Sequence, residues 1–254
     1  MRLLLVCVLL VLSGASRAAD DSVWTLYAQG RYSEAQSAGE ARGDASGYAL
    51  AARANLAVAA MREHGCLECL KAAEADARRA IALDPKPADA HVFLAAALGY
   101  EGRFEGLVAA RMHDYPGQAK HELDTALAGE PGNCWALAAL GGWNIEVVRG
   151  GGATLARWLY GARLDDGMHY FSRAFACAPD NLVFRYQFAL SLSGLDFDTY
   201  RASITDSLTK AVALTPVTAY DKFAQGRARE LLDAIKTKGT GAVMALVRRD
   251  QGYP

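Results

Sequence analysis

The segment Ala174-Phe175-Ala176-Cys177-Ala178-Pro179 decides the fold, because the sequence holds three more segments of the same pattern. In each of them alanine stands five and three residues before a proline, with small or apolar residues eight and twelve residues before it. These offsets place the residues on one face of a helix. Proline cannot continue a helix, so each segment predicts a helix that ends just before its proline. The other three segments are Ala80-Ile81-Ala82-Leu83-Asp84-Pro85, Ala126-Leu127-Ala128-Gly129-Glu130-Pro131 and Ala211-Val212-Ala213-Leu214-Thr215-Pro216.

A second helix is predicted after each of the first three prolines. Nine and ten residues downstream stands a large apolar residue followed by a small one, a pair that suits two closely crossing helices. The pairs are Leu94-Ala95, Leu140-Gly141 and Phe188-Ala189. The sequence therefore predicts an all-α chain of repeated helix-turn-helix units.

This pattern resembles the tetratricopeptide repeat family, from Asp21 to about Asp233. The resemblance implies a right-handed α-α superhelix whose first helices, the helices A, line a concave binding face. Gly30-Arg31-Tyr32-Ser33-Glu34-Ala35 is similar to the turn and the start of the second helix, helix B, in an earlier unit.

Two units depart from the family by carrying extra residues between helix A and helix B. The prolines 85, 131 and 179 are more widely spaced than the family period of about 34 residues. One helical insertion is predicted from Gly102 to Pro116 and the other from Arg149 to Gly161. After Pro216 the pattern gives way to a helix over Tyr220–Ile235 and a shorter one over Gly241–Arg249, which we interpret as a C-terminal capping element.

The first eighteen residues have the pattern of a secretory signal peptide. A positive Met1-Arg2 start precedes the apolar run Leu3–Leu12, and Ser16 and Ala18 are small residues at the −3 and −1 positions of a cleavage site. The alternative, a retained membrane anchor, needs about 20 apolar residues. We therefore expect a signal peptide over 1–18, one repeat domain over 19–254, a periplasmic or secreted location and no membrane insertion after cleavage.

The composition and the motifs argue against several function classes. The net charge is −1, whereas nucleic-acid binders usually carry a basic face. No nucleophile motif, phosphate loop or metal-ligand pair such as HExxH stands in the sequence. We expect a protein that is not an enzyme and has neither a cofactor nor a metal site.

Cys66 and Cys69 form the motif that comes closest to chemistry. In an oxidising compartment we expect a structural disulfide or a plain reduced pair. A redox pair at a helix start or a metal site with His64 is the less favoured alternative, because thioredoxin-like chemistry needs a βαβ context. Cys134 and Cys177 fall in different repeats, and we interpret them as buried small residues rather than a bridge.

The candidate binding residues are aromatic and charged side chains of the middle repeats. Tryptophan and tyrosine are common anchors at binding sites, and arginine binds carboxylates in a bidentate manner. The tetratricopeptide resemblance implies groove positions at Asp89, Val92, Tyr100, Trp135, Ala138, Glu146, Val183 and Tyr186. The predicted partner- or ligand-binding set is Tyr100, Trp135, Glu146, Arg149, Arg157, Trp158 and Tyr186.

The first functional hypothesis is a scaffold that binds a protein or peptide of the cell envelope along its helix-A face. The second is an accessory protein for a small acidic ligand, since the chain also resembles, in architecture and compartment, the periplasmic T component of TRAP transporters. A redox protein using Cys66 and Cys69 is the third. An enclosed pocket lined by Arg149, Arg157 and Trp158 favours the second hypothesis, and an open groove with exposed Trp135 and Tyr186 favours the first.

Overall fold

The chain is all-α in the computed structural model, which describes residues 22–253. No strand occurs within that range, and the predicted signal peptide over 1–18 lies outside it. The helices of the described part are α1 (22–28), α2 (Tyr32–Arg42), α3 (Ala45–Met61), α4 (Leu67–Leu83), α5 (Ala88–Glu105), α6 (Leu107–Met112), α7 (Tyr115–Gly129), α8 (Cys134–Tyr160), α9 (Leu164–Cys177), α10 (Leu182–Ala213), α11 (Ala219–Thr237) and α12 (Thr240–Asp250).

The four predicted helix ends are confirmed. Helices α4, α7, α9 and α10 each stop two or three residues before their proline, because the proline ring excludes the helical conformation of the residue before it. The next helix begins within a few residues, and the chain returns alongside the helix it has just left.

The helices pair in chain order as helix-turn-helix units. The helices A are α3, α5, α8, the first half of α10 and α11, and the helices B include α4, α7 and α9, each packed on its own helix A. Small residues let these helices approach closely: a Cβ atom on Gly141 of α8 would lie 2.6 Å from Cδ2 of Phe171 on α9. The predicted Leu-Gly pair thus sets the distance between helix A and helix B of this unit.

Both predicted insertions are helical. In the first, α5 runs on to Glu105 and the short helix α6 follows before α7. In the second, α8 continues past its repeat and breaks at Gly152, whose φ of 72° is available to glycine at little cost. The remaining turns end at Gly161, which is also left-handed, with a φ of 70°.

The C-terminal element caps the array. Helix α11 starts with a reciprocal capping box between Thr218 and Asp221, and α12 packs on α10 and α11 with Val243 and Val247 buried. Gly239 follows α11 but does not adopt the left-handed conformation that is common for a glycine after a helix. Gly239 has a φ of −74° and is the N-cap of α12, so the chain passes from one helix into the next without a left-handed turn.

No helix within residues 22–253 has both the length and the apolar character to cross a bilayer.

Candidate functional site

The helices A enclose one cleft with a cavity of about 660 Å³. Its walls are mainly apolar and come largely from the helices A, above all α3, α5, α8 and α10, while α6, α7 and α9 contribute further residues. Most of the cleft thus lies on the face that the repeat pattern predicts for binding. The volume falls within the range of about 300–1,000 Å³ that is usual for small-molecule sites. Apolar wall residues include Leu56, Val92, Leu98, Ala138, Val183 and Phe184.

One end of the cleft holds Arg53 among aromatic rings. The guanidinium carbon of Arg53 lies 4.7 Å from the ring centroids of Trp24 and Tyr27. It lies 5.3 Å from Trp135 and 5.9 Å from Phe93. Such distances permit cation–π attraction. We call the rings of Trp24, Tyr27, Phe93 and Trp135 the aromatic box of Arg53.

Arg53 has no carboxylate partner within the described part of the chain, since none of the ion pairs there includes it. Burial raises the pKa of the Tyr27 hydroxyl, and the charge of Arg53 acts in the opposite direction. The arginine therefore supplies a positive charge at the wall of an otherwise apolar cleft.

The opposite end of the cleft holds a second group of charges around Glu146. Its carboxylate lies 2.8 Å from Nη2 of Arg149 and 3.6 Å from Nε of Arg103. Arg149 Nη2 also donates to the hydroxyl of Tyr253. With two guanidinium groups and one carboxylate, this end also carries a net positive charge.

The C-terminal residues close this second end. Gln251 donates from Nε2 to Oε1 of Glu146 and to the carbonyl oxygen of Leu190, each over 3.3 Å. Its own carbonyl accepts from Arg103 at 3.5 Å. The tail after α12 thus contacts α5, α8 and α10, and the ring of Tyr253 forms part of the cleft wall.

Four of the seven predicted binding residues meet in the cleft. Tyr100, Trp135, Glu146 and Arg149 line it, together with the groove positions Val92, Ala138 and Val183. Asp89 does not line it.

The structure does not bring Arg157, Trp158 or Tyr186 into the cleft. Arg157 and Trp158 point outward from the last turns of α8, and Trp158 is 79% exposed.

Tyr186 is 4% exposed, because α12 covers it, and its hydroxyl donates to Oδ2 of Asp250 over 2.7 Å. Burial and the Asp250 carboxylate raise the pKa of Tyr186 well above its usual range. Tyr186 therefore holds α12 in place and is not accessible to a partner, which corrects its assignment as a binding residue.

Sequence reasoning missed Arg53, Arg103 and Tyr253. Arg53 left a signal, since it is the single charged residue in the alanine-rich helix Ala45–Met61. Arg103 lies in the predicted insertion from Gly102 to Pro116, which was a signal for it. Tyr253 left none that we recognise, because it reaches the cleft through the C-terminal tail.

Both cysteine pairs are disulfides. Cys66 and Cys69 have Cα atoms 5.2 Å apart, and Cys66 caps α4 by accepting from the backbone N–H of Cys69. The interpretation of Cys134 and Cys177 as unbridged buried residues is wrong. Their Cα atoms are 5.7 Å apart and their bond joins the start of α8 to the end of α9, because the pairing of helices A and B brings these two ends together.

No cluster of three or more histidine, cysteine, aspartate or glutamate residues suited to a metal occurs within residues 22–253.

Comparison with known families gives one match over most of the chain. The family described as regulator of microtubule dynamics protein 1-3 matches residues 27–236, which span every helix A and the whole cleft except Tyr253. No curated protein matches the sequence.

Proposed function

The chain belongs to the regulator of microtubule dynamics protein 1-3 family, and we propose that it is a non-enzymatic, tetratricopeptide-like binding protein. Its helix-A cleft takes a ligand that has an apolar body and an anionic group. The apolar body lies along the wall formed by α5 and α8, and the anionic group pairs with Arg53.

The observation that carries this proposal is that no carboxylate side chain of the described residues forms an ion pair with Arg53. Arg53 is half-buried, and a charge that is partly withdrawn from water costs free energy unless a partner offsets that cost. The aromatic box offsets part of it, and an anion beside the guanidinium supplies the remaining partner through charge-assisted hydrogen bonds. No acidic side chain of the described residues fills this role, so a ligand is the source of the anion.

A peptide is the second candidate for the same site. Tyr100, Trp135 and Glu146 stand at groove positions that tetratricopeptide proteins use for peptides, and they line the cleft. An acidic side chain of such a peptide would meet Arg53. The closure of one end by Gln251 and Tyr253 favours a compact ligand over a long extended segment.

We also propose that the chain is exported to a periplasm or beyond the cell. The signal-like pattern over 1–18 supports this location, and so do the two disulfides, since disulfides persist in oxidising compartments. The family's description names regulation of microtubule dynamics. We do not carry this role over to the chain, because an exported protein would not meet microtubules. The resemblance to the T component of TRAP transporters stays a prediction.

Native mass spectrometry of the chain purified from its own host tests the proposed function. We expect one small molecule bound to each chain, detected as an anion once released. Arg53→Gln should lower the bound fraction at least tenfold. The matched control is Arg79→Gln, which removes an exposed arginine that also lies over a ring, Tyr48 at 6.0 Å.

The mass-spectrometry experiment has three distinguishable results. Loss of the small molecule in Arg53→Gln but not in Arg79→Gln supports the ligand. Release of a peptide in its place selects the second candidate. An equal load in wild type and Arg53→Gln, or a released molecule without a negative charge, contradicts the assignment of Arg53.

A further inference from the structure

Exposed apolar side chains concentrate at the mouth of the cleft. Among residues 22–253, five of the eight large exposed apolar residues lie on α6 or on the last two turns of α8, residues 153–160. We call these two short helices the lip. Its exposed apolar residues are Leu107, Val108, Met112, Leu155 and Trp158, of which Met112 is 78% and Trp158 79% exposed.

The two helices of the lip border the same cleft, and Leu107 of the first lies beside the turn of α8 that precedes the second. Leu107 and Leu155 both border the cleft, and a Cβ atom on Gly150 would lie 3.7 Å from Cδ1 of Leu107. Ala110 and Ala156 form the buried undersides of the two helices. Each helix therefore turns its opposite face, with most of the apolar side chains, toward the solvent.

The lip also carries two arginines outside any ion pair of the described residues, of which Arg111 borders the cleft. Arg111 on α6 and Arg157 on α8 are exposed, and neither takes part in an ion pair within the described part of the chain. Glu105 and Asp114 flank α6, each two residues from its end. Glu105 lies 3.8 Å from Nζ of Lys71, and Asp114 lies beside Tyr160 at the edge of the cleft. The lip thus combines apolar tips with two free positive charges.

We propose that the lip docks the protein on an anionic phospholipid surface, with Val108, Met112 and Trp158 entering the interfacial layer. Short helices with an apolar and cationic outer face bind such interfaces, where tryptophan is favoured and arginine is attracted by anionic headgroups. Docking goes beyond the proposed function and does not depend on a ligand in the cleft.

Vesicle flotation of the full chain tests the docking. We expect binding to vesicles of phosphatidylcholine with one third phosphatidylserine, and little binding to phosphatidylcholine alone. The double variant Val108→Glu/Met112→Glu should lose binding at least tenfold. Arg111→Gln/Arg157→Gln should lose about 25-fold on anionic vesicles, since each basic residue contributes about fivefold. Every variant has the same N-terminus, so any contribution of residues 1–18 cancels in the comparison.

Two controls separate the lip from general apolar exposure and from the cleft. Val217→Glu replaces a residue that is 82% exposed and lies outside the lip, and it should bind vesicles as the wild type does. Arg53→Gln should also bind them normally, so a failure of the ligand proposal does not affect this test. Circular dichroism confirms that each variant is folded. Equal vesicle binding by wild type and Val108→Glu/Met112→Glu, or no binding by the wild type, would overturn the proposal.

Discussion

Glu101 is a carboxyl group that the fold keeps from ionising at mildly acidic pH. It lies on α5 and is 1% exposed, and its Oε1 atom has no hydrogen-bond partner. Burial raises its pKa to about 7, and the charges of Glu74 and Glu105 add to the effect, while Lys71 opposes it. The Tyr115 hydroxyl donates to the Oε2 atom of Glu101 over 3.5 Å, and the proximity of Glu74 favours the protonated carboxyl.

Replacing Glu101 by glutamine should therefore stabilise the protein at high pH. Glutamine resembles the protonated carboxyl, because its amide can donate a hydrogen bond and it carries no charge. The native state binds this proton more tightly than the unfolded state, so its stabilising effect is complete below pH 4.5, the ordinary pKa, and disappears as pH rises through about 7. The shift corresponds to about 3 kcal/mol. We expect Glu101→Gln to exceed the wild type by about 2–3 kcal/mol at pH 8 and by less than about 1 kcal/mol at pH 5.

Urea unfolding of both proteins at pH 5 and pH 8 measures this difference. The difference between them isolates Glu101, because Asp76, whose pKa burial raises to about 6, is common to both. Glu68→Gln, an exposed position on α4, is the matched control and should show no pH-dependent gain. An advantage for Glu101→Gln that stays constant between the two pH values would refute the reasoning, and so would a loss of stability at pH 8.

Three further predictions concern the contacts that hold the array together. Cys134→Ser/Cys177→Ser removes a disulfide that links two residues 43 positions apart. Urea denaturation should show a free energy of unfolding that is lower by about 3–4 kcal/mol. An unchanged value would mean that the bridge does not constrain the chain. Thr218→Ala, which removes the hydroxyl of the α11 capping box, should cost about 1 kcal/mol, and Thr209→Ala, exposed in the middle of a helix, is its control. Gly141→Leu, whose side chain would collide with Phe171, should cost at least about 1–3 kcal/mol in thermal unfolding, and an unaltered melting temperature would contradict the close packing of α8 on α9.

The sequence predicts the helices well because their ends are decided locally. The position of Pro85 determines where α4 stops, and Gly141 determines how closely its helix can approach a neighbour. Both effects act within one repeat and need no knowledge of the rest of the chain. The insertion around Gly150 is predictable for the same reason, since consecutive glycines weaken a helix at that position.

The cleft is less predictable because distant parts of the chain complete it. Arg103 meets the carbonyl of Gln251 across 148 residues, and Tyr186 is covered by Asp250 across 64 residues. No local sequence pattern predicts either contact. Six of the eight tetratricopeptide positions line the cleft, whereas Asp89 and Tyr186 do not. The pattern does not reveal that the last helix covers Tyr186.

Calorimetric titration with dodecanoate tests the assignment of Arg53 most directly. Dodecanoate and dodecanol share an apolar chain and differ in charge, so their comparison isolates the ion pair. A hydrogen bond to a charged group contributes about 1.5–3 kcal/mol. We therefore expect Arg53→Gln to weaken dodecanoate binding by about tenfold to a hundredfold and to leave dodecanol within about twofold, with Arg79→Gln unchanged for both. Equal weakening of both ligands, or none, would contradict an anion site at Arg53.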